Sequence, residues 1–577
     1  MVEREEFEDF VFLQALENAV SFKGEANPKA LIGRCMPKFP EIKKEMGVWM
    51  PILNSIVEQV NSMDYETQVE KLKELNPSFF DKKEKKDDVK KDGLPDLVDF
   101  KGKIRTRFCP APSGHLHLGH LYGVIFNYEY VKKYGGEFIV RIEDTNPENI
   151  ALENYDKILE DVKWITDDSI DELYYQSDRI DIYYKYLRTL IETGKAYVCE
   201  CEAEVFKAYN DSSEACPHRC VPVVNQVKMY EKFFSGEYKD GDAVIRFKAD
   251  LKNKNPALRD FPVARLKSEK HVRVGDKYKL WPMYNLCTSI DDSLMKVNYI
   301  IRGKDHEING QRQDMIKSAL GLLKSNYFHY GRIKFTDIEL SKTKLSEKIE
   351  NKVYEGWEDP RVPSLVSYKK RGYKAEAFRK MIVAMGISKR DSKISDEEYH
   401  KSLNFYNKQI LEKEADRYFF VYNSKKVKIV NIDDIDLKEI DLPQHPVDKS
   451  RGMRHFDLES EYIIDGVDFK SFKVGDKIRL MHFANFKVVE KDKDEIKLMY
   501  LSTPHNRELM VKRNIHFLPK NSEKCRIILA DNSKLNGYCE DMDNIKENTS
   551  IQFERFGFVK YDSKNEDGIR VFYFTHR

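Results

Sequence analysis

The stretch TRFCPAPSGHLHLGHLYG, residues 106–123, places two imidazoles where they could meet a phosphate. His117 and His120 flank Gly119 in a His-x-Gly-His pattern, directly after two prolines and Gly114. In the first turn of a helix, imidazoles can donate hydrogen bonds to phosphate oxygens, and a glycine between them lets a purine or ribose approach the backbone. The helix N-terminus adds free N–H groups and a positive dipole end, so the turn reads as a nucleoside triphosphate site. The bare motif also admits a structural reading, in which the rings cap the helix or fill a core.

A second cluster follows. Cys199-x-Cys201 and Cys216-x-His218 set thiolate and imidazole donors in two close pairs, with Cys220 as an alternative fourth ligand. Such pairs suit a tetrahedral zinc ion, and four protein donors would make the ion structural.

These residues need a frame to hold them. IRTRF reads as a strand, and the next segment carries apolar residues at Leu118, Leu121, Ile125 and Tyr128, a helical spacing closed by Gly135 and Gly136. EFIVRIED is a second strand, ENYDKILEDVKWI and DIYYKYLRTLIETGKAY are helices, VNYIIRG is a further strand and QRQDMIKSALGLL a helix. The alternation predicts a Rossmann-like parallel α/β domain over 94–195 and 281–344, interrupted by a cysteine-bearing insertion over 196–280. Ligands in such sheets sit outside the carboxyl ends of the strands. Three charged residues fall there: Arg107, Glu143 and Arg302.

The remaining text is less chemical. Residues 1–80 read as a helical extension, with Phe10, Leu13 and Leu16 and later ILNSIVEQV on apolar faces, and 81–93 as a charged linker. Residues 345–415 turn helical, with Phe378, Ile382 and Met385 on one stripe, and 416–577 read as short strands forming one or two β-barrels. A chain of 577 residues with 41% hydrophobic and 34% charged residues is a multidomain globular protein. It holds no apolar run long enough to span a membrane, and its acidic start is no signal region, so the cytoplasm is the default location. The net charge of +1 neither supports nor excludes nucleic acid.

RFCPAPSGHLHLGH, RIEDTNPEN, WPMYNLCTSIDDSLMKVNYIIRGKDH, ELSKTK, YEGWEDPRVPSL and QFERFGFVKYD occur in the order seen in class I glutamyl-tRNA synthetases. The chain resembles the archaeal type over nearly its whole length. The resemblance implies activation of glutamate by ATP with Mg²⁺ and transfer to the 3′ end of tRNA(Glu), with tRNA(Gln) open as a second acceptor. It implies an inserted acceptor-end module with the zinc site, a helical connecting domain, a β-barrel anticodon-binding domain and a monomer whose N-terminal helices dock a partner or stiffen the body. It assigns His117, His120 and Lys342 to catalysis, and Pro110, Ser113, Gly114, Gly119 and Ser341 with them to ATP. Glu143 would receive the glutamate ammonium, while Arg107, Tyr284 and Arg302 would bind carboxylates. The basic, aromatic segment RVPSLVSYKKRGYK would face the inside of the tRNA.

Two positions depart from the family pattern. Glu339 stands where the second ATP motif usually has its first lysine, with Lys344 as a substitute donor, and Ala111 replaces a usual polar residue. Arg302, within IRGKDH, separates this reading from a glutaminyl-tRNA synthetase, because a buried guanidinium wants an acceptor where glutamine offers an N–H₂ donor. A catalytically silent tRNA-binding paralogue is the remaining alternative. Small nucleotidyltransferases share the histidine turn but need neither the second lysine motif nor the β-rich tail.

Overall fold

The computed structural model describes residues 4–21, 24–79, 94–98, 100–148, 150–504, 511, 513–542 and 544–577. The charged linker therefore lies outside the described residues. The chain forms two compact units, 1–92 and 93–577.

The first unit packs helices α1 (Arg4–Ser21), α2 (Pro28–Lys38), α3 (Met46–Asn61) and α4 (Tyr65–Leu75). Phe7, Val11 and Leu16 of α1 meet Leu31, Trp49, Leu53, Val60 and Leu72 in one core, with Phe10 and Leu13 packed at its edge. Side-chain caps fix two helix starts: Asn27 accepts from the Lys29 amide and Asp64 from that of Thr67.

The second unit opens with β1 (Ile104–Phe108), α5 (Leu118–Tyr134), β2 (Gly136–Ile142), α6 (Glu153–Ile165), β3 (Glu172–Tyr175) and α7 (Ile180–Glu192). β1, β2 and β3 pair in parallel in that order. The insertion then supplies β4 (Ala196–Cys199), α8 (Ala203–Asp211), α9 (Val223–Ser235), β5 (Val244–Phe247), β6 (Phe261–Leu266) and β7 (Leu280–Pro282), an antiparallel sheet in chain order. The chain returns through α10 (Tyr284–Leu294), β8 (Tyr299–Gly303), α11 (Glu307–Ala319) and β9 (Asn326–Tyr330), with β8 and β9 parallel. β8 docks beside β1: the Asn298 amide donates to the Arg105 carbonyl (3.0 Å) and the Arg105 amide to Asn298 Oδ1 (2.8 Å). Asn127 of α5 donates to the Ile301 carbonyl at 3.0 Å, locking the helix over that junction. The carboxyl ends of β1, β2 and β8 thus open on one side.

Next come β10 (Ile333–Phe335), α12 (Lys342–Glu350), α13 (Leu365–Lys370), α14 (Ala375–Met385), β11 (Ser392–Ile394) and α15 (Asp396–Glu414). The apolar stripe of α14 differs from the sequence expectation. Phe378, Met381 and Ile382 are fully buried, whereas Met385, in the last turn before Gly386, is 40% exposed.

Beyond α15 lie two seven-stranded sheets, each a nearly closed barrel. Strands within 417–422, 523–539 and 550–576 build one; strands within 425–429, 461–464, 477–502 and 514–519 build the other. Val427, Phe486 and Phe517 fill the second barrel, and Phe553 and Phe572 the first.

The basic, aromatic segment 361–374 serves the fold. Arg371 is buried and donates to the carbonyls of Phe574 and Thr575, both at 3.3 Å, while Tyr368 and Tyr373 sit in the core. Arg361 pairs with Asp359 (2.6 Å), Lys370 with Asp562 (2.7 Å) and Lys374 with Glu414 (2.8 Å). Arg361, Lys370, Arg371 and Lys374 thus have partners within the chain, while Lys369 is exposed. Among the described residues no helix is long and apolar enough to cross a membrane.

Candidate active site

The loop between β1 and α5 is shaped by its own imidazoles. His117 is the N-cap of α5, with Nδ1 accepting from the Gly119 amide at 3.1 Å, and His120 Nδ1 accepts from the His117 amide at 3.2 Å. The structural reading of the motif therefore holds, and it is compatible with the chemical one. With each Nδ1 engaged as an acceptor, a neutral ring carries its proton on Nε2, a donor with no hydrogen-bond partner among the described residues. Neutrality is enforced: burial first, then Lys342, holds His117 at about 4, and burial, His117 and Lys342 hold His120 well below 6.5. The rings stack with centroids 3.7 Å apart. A Cβ at residue 119 would lie 3.0 Å from the His117 ring, so glycine is the residue that lets this stack form.

His115 escaped the sequence reading. Its Nδ1 lies 3.1 Å from Asp161 Oδ2 on α6, and the same oxygen accepts from the Leu116 amide at 2.8 Å, which pins the loop to the helix behind it.

Lys342, the first residue of α12, reaches this loop from 229 residues away, donating to Ser113 Oγ at 2.8 Å and approaching the Gly114 carbonyl at 3.4 Å. Burial pulls its pKa down to about 8. Ser341 is the N-cap of α12. Glu339 accepts from the Ser341 amide at 3.1 Å and pairs with Lys344 at 3.0 Å, so Lys344 is fastened to the acid rather than to the histidine turn.

A cavity of about 590 Å³ adjoins the turn, lined by Arg107, Pro110, Ala111, Glu143, Tyr284 and Arg302 among others. Burial disfavours the charge on Arg107, but Asp292, 3.3 Å away, together with smaller contributions from Cys109 and Tyr284, more than offsets it and raises the pKa. Asp292 also accepts from Arg141 Nη1 at 2.8 Å. Arg141 Nη2 and Thr288 Oγ1 donate to Glu143 Oε1 at 3.2 and 3.1 Å. Burial raises the Glu143 pKa against the pull of Arg141 and Arg107. The Glu143 amide bonds the Pro110 carbonyl at 2.9 Å, tying the end of β2 to the histidine loop. Arg302 is 7% exposed and donates to Tyr284 OH at 3.1 Å. Ala111 contributes a methyl, and its carbonyl accepts from the Ser113 amide at 2.8 Å.

Arg141 and Asp292 were not singled out from the sequence, although a signal existed. An arginine inside an apolar parallel strand demands a buried counter-charge, and the paired acids of TSIDDSL could supply it.

In the insertion, the ligand atoms of Cys199, Cys201, Cys216 and His218 all lie within 4.8 Å of one another. Cys199 and Cys216 sulfurs are 3.9 Å apart, and Cys201 Sγ is 3.3 Å from His218 Nδ1. Glu200 stands 3.4 Å from His218 Nε2. Cys220 is exposed and outside this group.

The family described as "tRNA synthetases class I (E and Q), catalytic domain" matches residues 103–412, and its anti-codon binding domain matches 415–503. A glutamate–tRNA ligase of Thermococcus onnurineus is 39% identical over 99% of this chain and 100% of its own, and one of Pyrococcus furiosus is 38% identical over 98% and 99%. A solved glutamate tRNA ligase from Elizabethkingia meningosepticum is 21% identical over 54% of this chain and 70% of its own, with a TM-score of 0.39, too low to bear on the fold. The long relatives and the two adjoining family domains agree with the geometry of the cavity: the chain belongs to the class I glutamyl- and glutaminyl-tRNA synthetases.

Proposed function

We propose that the chain is a glutamate–tRNA ligase, and the observation that carries the amino-acid assignment is Arg302. It is a buried cation in the cavity wall, and among the described residues no carboxylate lies within 4 Å of it. A buried, unneutralised guanidinium is costly unless a ligand anion completes it. The side-chain carboxylate of glutamate is such an anion, and the amide of glutamine is not.

The remaining roles follow from charge and position. Glu143 takes the ammonium, Arg107 and Tyr284 the α-carboxylate, and Arg302 the side chain. The α-carboxylate oxygen attacks the α-phosphorus of ATP and pyrophosphate leaves; the terminal ribose hydroxyl of tRNA then attacks the acyl carbon and AMP leaves. Neither step needs a protein nucleophile. ATP enters as its magnesium complex, held chiefly through its own phosphates. The chain supplies the Nε2–H groups of His117 and His120, the ammonium of Lys342 and the α5 N-terminus, with Pro110, Ser113, Gly114, Gly119 and Ser341 shaping the bed. The barrels over 416–577 read the anticodon, and the monomer works in the cytoplasm.

Pyrophosphate exchange into ATP tests this reading. Glutamate should support exchange in the presence of tRNA, whereas exchange with glutamine alone, or with neither amino acid, would overturn it.

The four-residue cluster in the insertion is proposed to hold structural zinc. A sulfur–sulfur distance of 3.9 Å fits ligands about 2.3 Å from a tetrahedral ion, and Glu200 can orient the His218 ring. Elemental analysis should find about one zinc per chain. Cys201→Ser should lose the metal and lower the Tm, while Cys220→Ser keeps both. Metal-free wild-type protein from zinc-replete growth would rule the site out.

A further inference from the structure

Arg302 is held by an unusual set of partners. Nε donates to His329 Nε2 on β9 at 3.3 Å, Nη1 to Tyr284 OH on α10 at 3.1 Å and Nη2 to Gln313 Oε1 on α11 at 3.0 Å. All three acceptors are neutral. The ring of His329 stays so because burial, then Arg302, holds its pKa down at about 4. A guanidinium has five N–H donors, so this frame takes three and leaves one on each terminal nitrogen for a ligand.

The contrast within the same wall is sharp. Arg107 and Arg141 share Asp292, and Arg141 also meets Asp291 and Glu143. Those guanidiniums are neutralised by the protein. Arg302 is instead surrounded on three elements by groups that orient it without cancelling its charge. Gln313 is fully buried, and its Nε2 bonds Asn285 Oδ1 at 3.3 Å, which fixes the amide with its oxygen toward Arg302. The close approach of α11 depends on Gly310, where a Cβ would meet Arg302 Nη2 at 3.2 Å and His329 Cε1 at 3.4 Å.

We infer that Gln313 and His329 are specificity-determining positioning residues, whose neutrality makes the pocket demand a carboxylate rather than an amide. The inference rests on the assignment of Arg302 to the glutamate side chain. It extends selectivity beyond the arginine to the charge of the groups behind it. An acid in place of either acceptor would supply the missing anion from within, and the pocket would lose its reason to prefer glutamate.

Gln313→Glu is the direct test, because it changes charge with almost no change in shape. Exchange is measured with glutamate and with glutamine, in the presence of tRNA and ATP. The expected result is a KM for glutamate raised about 100-fold with kcat changed only a few-fold, the KM for ATP unaltered and glutamine activation equal or improved. Retention of the wild-type ratio of glutamate to glutamine would overturn the inference, as would an equal loss with both. Should Gln313→Glu fail to fold, His329→Glu brings the same charge to Nε from a different strand, and the same outcomes decide. The wild-type control separates the two levels: no glutamate-dependent exchange by the parent enzyme would refute the ligase reading itself, before any variant is compared.

Discussion

Lys342→Ala should depress pyrophosphate exchange by about 10²- to 10³-fold while leaving tRNA affinity nearly unchanged. The lysine reaches the histidine loop from another element, with its ammonium 2.8 Å from Ser113 Oγ. Glu339 stands where the resemblance to the family leads one to expect another lysine, and Lys344 is engaged by that acid. Lys342 is therefore the lysine of this motif that faces the turn, and removing it leaves two neutral imidazoles against the departing pyrophosphate. The pKa of about 8 gives the prediction a second signature. A lysine is charged below its pKa, so kcat/KM for ATP should hold below pH 8 and fall as the pH rises through it. Lys342→Arg should retain much of the exchange and lose that alkaline limb, since a guanidinium stays charged. Unchanged exchange in Lys342→Ala would remove the residue from the mechanism.

What could be read from the sequence was local. The strand ends at Arg107 and Arg302, the helix that begins at the histidine turn and the paired thiols are each legible from a short stretch of neighbouring residues. What could not be read was long-range pairing. Asp161 meets His115 from 46 residues away, Asp292 meets Arg107 from 185, and Lys342 meets Ser113 from 229. A single sequence records none of these partnerships. The segment 361–374 shows the same limit in reverse. Its basic and aromatic content is equally consistent with a nucleic-acid face and with an internal latch. The carbonyls of Phe574 and Thr575, some 200 residues on, decide that Arg371 is buried. Glu339 was visible as a departure, but only the fold shows that its effect reaches Lys344 as well as its own position.

Arg302→Ala should cost glutamate about 2–5 kcal/mol in kcat/KM, roughly 30- to several-thousand-fold, and cost glutamine far less. Part of the loss will be structural, because Tyr284, Gln313 and His329 would each lose the donor they now accept from. That part falls on both amino acids alike. The diagnostic is accordingly the ratio of the two kcat/KM values, which divides out the damage common to both and keeps the term belonging to the side-chain carboxylate. Arg302→Lys sharpens the test. It preserves one positive charge but not the planar fork, so selectivity carried by charge alone would survive in it, and selectivity carried by two directed N–H bonds would not. If the ratio is unchanged in both variants, the carboxylate must be read elsewhere in the cavity. Arg107 could not easily take over, since Asp292 already engages it and its remaining donors are committed to the α-carboxylate. A collapse in Arg302→Ala with partial recovery in Arg302→Lys would locate glutamate recognition at the end of β8, in the guanidinium that the fold orients and leaves without a counter-ion.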